Sequence, residues 1–132
     1  MAVFADTSFY AAIVNRRDGL HEKAKRAAAA AFGTILTTEF VLLETANFRT
    51  DGKRRAAYLN LVTKMRQSEN VEIVPATSRD FNRGLELFAT RQDKRWSLTD
   101  CISFVVMQER GLREALTADR HFEQAGFTIL LK

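Results

Sequence analysis

The chain has 132 residues, 46% hydrophobic and 27% charged, a globular make-up that excludes wholesale disorder. That length suffices for one domain, is short for two, and buries about two-thirds of the surface an unfolded chain exposes, so no covalent staples are required. Twenty Lys and Arg stand against sixteen Asp and Glu, a net charge of +4 compatible with a polyanionic partner, and the lone Cys101 excludes an internal disulfide or a cysteine-based zinc cluster.

Met1–Ala5 lacks a basic leader and runs straight into Asp6, unlike a signal peptide. No stretch approaches the ~18 consecutive apolar residues of a membrane span. With a single free cysteine, the expectation is a cytoplasmic protein. Val3-Phe4-Ala5 reads as a buried strand, followed by a helix through Phe9, Ile13 and Val14 and a turn at Arg16–Gly19. A second helix is predicted over His21–Phe32, which includes the alanine run 27–31. Thr34–Thr37 is the second strand, with helices over Glu39–Arg49 and Lys53–Gln67 separated at Asp51-Gly52. Val71–Val74 is the third strand, closed by Pro75, the only proline. Thr77-Ser78-Arg79-Asp80 has the pattern of an N-terminal cap for a helix reaching Thr90. After a polar loop, a helix over Thr99–Arg110 ends at Gly111, and Ala115–Thr117 and Phe127–Leu130 complete the strands. Strands alternating with helices imply βαβ crossovers. The predicted fold is therefore a single α/β domain over residues 1–132, with a central parallel sheet covered on both faces.

In such a sheet, ligands bind outside the carboxyl ends of the strands, where the strand order reverses. Asp6 ends the first strand and Asp119 follows the strand ending at Thr117, so both belong on that rim. Asp100 opens the helix Thr99–Arg110 and should point at the same rim. Glu44 lies four residues from both Phe40 and Phe48, on an apolar helical stripe where an unpaired carboxylate is costly. Each acid has a second reading. Asp6 serves equally as a helix cap, Asp100 completes the capping box Ser97-x-x-Asp100, Asp119 fits a turn, and Glu44 could snorkel or pair with an arginine.

Gathered in one crevice, four carboxylates repel by roughly 4 kcal/mol per close pair at an effective dielectric of 20. A divalent cation relieves that repulsion, and oxygen ligands favour Mg²⁺ or Mn²⁺ over zinc. In a basic protein, such a centre points to phosphodiester hydrolysis by activated water, with Lys and Arg holding the substrate backbone.

The motifs Phe4-Ala5-Asp6-Thr7-Ser8-Phe9, Leu43-Glu44, Trp96-Ser97-Leu98-Thr99-Asp100-Cys101 and Thr117-Ala118-Asp119-Arg120-His121-Phe122 resemble those of PIN-domain nucleases. The type they are most similar to is the VapC toxin of prokaryotic toxin–antitoxin pairs. The resemblance spans essentially the whole chain in motif order. It implies a three-layer α/β/α fold and an Mg²⁺-dependent endoribonuclease, with Mn²⁺ as a possible substitute, leaving 5′-phosphate and 3′-hydroxyl ends. It also implies a cognate antitoxin and a homodimer. The metal-site acids would be Asp6, Glu44, Asp100 and Asp119. Thr7 is a candidate for holding the Asp6 carboxylate or a water beside the metal, and Thr117 for doing the same at Asp119. Some family members carry a further acid just after the fourth, where His121 stands here, so the resemblance leaves one or two metals open.

Arg16-Arg17, Lys53-Arg54-Arg55 and Lys94-Arg95 are short basic clusters whose default reading is a solvated face. Lys94 and Arg95 are the RNA-contact candidates because they precede Asp100, whereas Trp96 reads as a packing residue and Asp93 as a solvated loop acid. His21 and His121 read as surface residues, and Cys101 as buried and inert. Two competing functions are a catalytically silent PIN domain that binds RNA or protein, and a phospho-receiver module. The latter requires an acidic pair after the first strand and an acceptor Asp after the third, where Val74-Pro75-Ala76 stands instead. Setting the four acids aside leaves twelve against twenty basic residues, so the exterior is twice as basic as the net charge suggests.

Overall fold

Short aliphatic runs bounded by polar turns form strands that hydrogen-bond side by side in one direction, as expected of a sheet covered on both faces. The computed structural model describes residues 2–31, 33–48 and 51–132. In chain order the elements are β1 (Ala2–Ala5), α1 (Thr7–Val14), α2 (His21–Ala30), β2 (Thr34–Thr38), α3 (Glu39–Asn47), α4 (Gly52–Gln67) and β3 (Val71–Val74). There follow α5 (Ser78–Thr90), α6 (Leu98–Arg110), β4 (Glu114–Leu116), α7 (Arg120–Gln124) and β5 (Thr128–Ile129). The strand order is β3-β2-β1-β4-β5 and every pairing is parallel. Right-handed crossovers then place α1–α4 on one face and α5–α7 on the other, giving the three-layer α/β/α arrangement.

The chain moves outward from β1 through β2 to β3, then crosses back to β4 on the other side of β1. The order therefore reverses between β1 and β4, and the crevice opens above their carboxyl ends. Register brings these ends level, since Ala5 pairs with Leu116 and the Asp6 amide bonds the Leu116 carbonyl at 3.2 Å. Asp6 and Thr117 are consequently neighbours across the crevice.

Helix α6 is buried without interruption from Asp100 to Met107, a helix wrapped by protein on all sides. Its Phe104 meets Phe122 of α7 edge-on at 4.9 Å and Trp96 edge-on at 5.0 Å. These rings fix the start of α6 and the short α7 against one another. Gly111 ends α6 at φ 69°, the left-handed geometry that favours glycine.

The expected elements are present, with different ends. The final residues of two predicted helices, Phe32 and Arg49, lie outside the described residues. β5 covers only Thr128–Ile129, and β4 stops at Leu116, which frees Thr117 to turn its hydroxyl into the crevice. The five-residue α7 is absent from the expected elements, because a single turn carries no apolar period long enough to read.

α5 and α6 approach closely at Gly84, where an added Cβ would lie 2.3 Å from Ile102 Cγ1 and 2.9 Å from its Cα. In an open helix Gly→Ala stabilises by about 1 kcal/mol, but here it forces the two helices apart. Gly84→Ala is expected to destabilise the protein by about 1–3 kcal/mol in urea unfolding. A midpoint at or above that of the parent protein would refute this close contact.

Candidate metal centre

The four predicted acids arrive from four separate elements. Asp6 follows β1, Glu44 lies midway along α3, Asp100 is in the first turn of α6, and Asp119 is the N-cap of α7. Their charges act on one another: Asp100 and Glu44 both raise the pKa of Asp6, and Asp119 and Glu44 both raise that of Asp100. The site is one electrostatic unit.

Asp6 occupies the N-cap position of α1, yet its side chain makes no capping bond. The cap reading therefore fails for this residue. Its carboxylate is 3% exposed and faces the crevice, where Oδ2 accepts from the Thr117 hydroxyl at 3.1 Å. Oδ1 has no hydrogen-bond partner. Burial pushes the Asp6 carboxyl up from 3.8 to about 7, opposed by the Thr7 backbone N–H and assisted by the Asp100 charge.

Asp100 meets both of its readings. It closes the capping box with Ser97 (Ser97 amide to Oδ2 3.1 Å, Asp100 amide to Ser97 Oγ 3.0 Å) and also faces the crevice. Burial raises its pKa most, the Ser97 N–H counters this, and His121 pulls it down as Asp119 pushes it up. Asp119 caps α7 by accepting from the His121 amide at 2.9 Å, so the turn reading is also realised.

Glu44 is half-buried and pairs with no arginine among the described residues; Thr7 Oγ1 donates to its Oε1 at 2.6 Å. The apolar stripe expected around it is broken, because Phe48 is the C-cap of α3 and 65% exposed, while Phe40 alone packs on the core. α3 is too short and too near the rim to bury both rings.

The two threonines hold different acids from those expected. Thr7 bonds Glu44 rather than Asp6, and the Thr117 hydroxyl donates to Asp6 while accepting from the Asp119 amide at 3.0 Å. The exchange follows from topology, because each side chain reaches across the crevice to the neighbouring element rather than along its own chain. Ser8 completes the network unannounced: its Oγ lies 2.9 Å from Thr117 Oγ1 and accepts from the Ala118 amide at 3.2 Å. Among the described residues, the side-chain hydrogen bonds of the four acids fall on one oxygen of each.

His121, expected on the surface, is instead at the site. Its Nδ1 lies 3.2 Å from both Asp100 Oδ2 and Asp119 Oδ1. One ligand atom from each of Asp100, Asp119 and His121 fits within 4.8 Å of the others. The signal available in sequence was its place two residues after Asp119, in the turn that Asp119 caps. His21 is elsewhere, its Nδ1 2.7 Å from the Ala12 carbonyl.

The residues fit a divalent cation: a buried carboxylate oxygen without partner, surrounded by further carboxylates, is the donor chemistry such an ion requires. Around the site, Trp96 is buried, donates Nε1–H to Gln124 at 3.0 Å and carries the Arg91 guanidinium 5.0 Å above its ring. It is a packing residue, as expected. Asp93 is exposed but bound by Arg91 at 2.9 and 3.0 Å. Arg95 is exposed and Lys94 half-exposed, and neither forms an ion pair among the described residues. Two of the basic clusters come together: Arg16, Arg17, Lys53 and Arg54 line one cleft between the α1–α2 turn and the start of α4.

Residues 3–128 match the PIN-domain family. The chain is 32% identical over 127 residues to the 23S rRNA-specific endonuclease VapC20 of Mycobacterium tuberculosis, covering 95% of each. The crystal structure of M. tuberculosis VapC20, titled a sarcin-ricin loop cleaving toxin, superposes with a TM-score of 0.87 at 29% identity, over 96% of each chain. VapBC2 of Rickettsia felis, bound to a DNA fragment from its promoter, shares the fold at a TM-score of 0.67 and 14% identity, over 98% of this chain and 97% of that one.

Because Asp6 is held at a raised pKa, the folded protein binds its proton more tightly than the unfolded chain does. The resulting penalty is absent below about pH 4, grows as pH rises toward about 7, and reaches a few kcal/mol. In chelator, Asp6→Asn is therefore expected to raise the thermal midpoint above the parent's near pH 8 and to change it little near pH 4. Equal midpoints at both pH values would remove the buried charge from the account.

Proposed function

This chain belongs to the PIN-domain family, and from that premise we propose that it is a metal-dependent endoribonuclease, the toxin of a type II toxin–antitoxin pair. The observation that supports this reading best is the convergence of Asp6, Glu44, Asp100 and Asp119 at the β1/β4 reversal, with Asp6 Oδ1 buried and unpartnered. These four acids are the proposed metal ligands and catalytic residues, and Mg²⁺ is the proposed ion, with Mn²⁺ as a substitute. When bound, such a cation lowers the pKa of water and offsets charge developing on phosphoryl oxygens.

The chain's own residues hold the geometry. The Thr117 hydroxyl anchors Asp6, the Thr7 hydroxyl anchors Glu44, and the Ser97 amide anchors Asp100. Anchoring by hydrogen bonds fixes ligand orientation, and losing such a partner commonly costs about 10–100-fold in metal affinity or activity. No side chain of the site supplies a nucleophile. The Ser8 and Thr117 hydroxyls bond one another, and burial pushes the Cys101 thiol up to about 11, with the Asp100 charge assisting.

RNA is the proposed substrate, with Lys94 and Arg95 as its backbone contacts near the α6 end of the crevice. The substrate named for the mycobacterial relative, 23S rRNA, is the first to assay. A cognate antitoxin that blocks the crevice, assembly as a homodimer and action in the cytoplasm complete the proposal. No helix among the described residues is long and apolar enough to cross a membrane.

Purified protein should cleave ribosomal RNA in Mg²⁺ and lose that activity in EDTA. Asp6→Asn should slow cleavage by at least about 100-fold, the scale of removing a group that stabilises developing charge. Undiminished cleavage by this variant would sink the assigned centre. Replacing Lys94 by Ser should weaken RNA binding and reduce its salt slope by about one phosphate contact. An unchanged slope would take Lys94 out of the substrate path.

A further inference from the structure

Among the ligand-bearing side chains at the crevice, one offers nitrogen. The His121 ring is one-third exposed at the mouth of the site, while Asp6 lies at its buried base. Its position is well determined. The His121 amide is bound by the Asp119 carboxylate, and Phe122, the next residue, is fully buried between Phe4 and Phe104.

A structural explanation would make the ring a hydrogen-bond donor to its acidic neighbours. That accounts for one bond, to Asp100 Oδ2 at 3.2 Å, and leaves Asp119 Oδ1 equally distant, both at the long end of the hydrogen-bond range. One ligand atom from each of the three residues lies within 4.8 Å of the others, a spacing that also suits the ligands of one ion. The cluster is not acidic residues alone, and through Asp100 it acts on Asp6, which lies outside the group of three and whose buried Oδ1 has no hydrogen-bond partner among the described residues.

We propose that His121 is a ligand of the divalent cation through Nδ1, which makes the centre a mixed nitrogen–oxygen site selective for Mn²⁺ over Mg²⁺. This rests on the metal-centre reading above, adds a ligand to it and reverses its order of ions, placing Mn²⁺ before Mg²⁺. Mg²⁺ binds oxygen donors and gains little from imidazole. Mn²⁺ shares the preference for carboxylates but, as a first-row transition ion, accepts a nitrogen ligand as well. A neutral imidazole also leaves the site more cation-selective by donor type than a fifth carboxylate would.

The chain allows a clean test, because it has two histidines and the other, His21, is occupied by the Ala12 carbonyl away from the site. The full-length protein is loaded with Mn²⁺ and examined by electron spin-echo envelope modulation, which detects nitrogen bound directly to the ion. Nitrogen modulation is expected in the parent and in His21→Asn, and is expected to vanish in His121→Asp. Calorimetric titration with Mn²⁺ and with Mg²⁺ should show the preference for Mn²⁺ falling about tenfold in His121→Asp, while Mg²⁺ binding persists. Mn²⁺ binding without nitrogen modulation in the parent overturns the role of His121 and leaves the carboxylate centre standing. Modulation that survives His121→Asp overturns it equally. Failure of the parent to bind either ion overturns the metal centre itself and this inference with it.

Discussion

A carboxylate with one oxygen buried and unpartnered governs this structure. Asp6 sits where β1 ends, at the place in the sheet where strand order reverses, and its Oδ1 meets neither solvent nor a hydrogen-bond donor. Such an arrangement costs free energy in any protein and persists only if something else is gained. Here the surrounding elements converge on it. β4 ends beside β1 so that Thr117 can reach Oδ2, α3 brings Glu44 to the hydroxyl of the residue after Asp6, and α6 begins with its capping acid at the same rim. The parallel sheet thus presents its strand ends at one rim, where these groups meet.

Much of this was legible in the chain. Strand-length aliphatic runs separated by helical stretches sufficed for the parallel sheet, and Asp51, Thr77, Ser97 and Gly111 mark helix ends as their chemistry predicts. Asp6, Asp100 and Asp119 were singled out because each closes or opens an element at the carboxyl rim, and Glu44, midway along α3, because it stands on a helix between apolar residues. What escaped reading was whatever depends on contact between elements. Thr7 and Thr117 each follow an expected acid or precede one, and sequence adjacency suggested the wrong partner for both. A hydroxyl at the end of a parallel strand faces the neighbouring element, so partners are set by strand order, which a single sequence does not encode locally. His121 escaped for the same reason: its ring meets Asp100, which lies twenty-one residues away in sequence. Phe48 shows the opposite error, an apolar spacing that continues past the helix that would have buried it.

Charge is distributed less simply than the acid count implied. Removing four acids from the balance leaves a basic exterior, but many of those cations are already matched. Arg79 and Arg83 share Glu109, Arg91 holds Asp93, Arg110 meets Glu72 and Lys132 meets Glu123. Exposed pairs of this kind contribute about 0–1 kcal/mol each, so they matter less for stability than for removing charge from the long-range field. Among the described residues without an ion pair, Lys94 and Arg95 lie before α6, and Arg16, Arg17 and Lys53 line the cleft they share with Arg54, which meets Asp51; Lys25, Arg26, Arg55, Lys64, Arg66, Arg113 and Arg120 are also unmatched.

The same grouping of acids links stability to the occupant of the crevice. With no cation present, Asp6 and Asp100 are both held above their ordinary pKa values, mainly by burial, so the folded state is penalised as these groups ionise. Any ligand that binds the folded site and not the unfolded chain stabilises by mass action, by about 2.7 kcal/mol at a hundredfold excess over its dissociation constant. For a divalent cation that term already contains the relief of the repulsion among the acids, which after burial raises the two pKa values. A buried carboxylate with a free oxygen is thus a cost that a bound cation would offset, where an asparagine would fold with less cost.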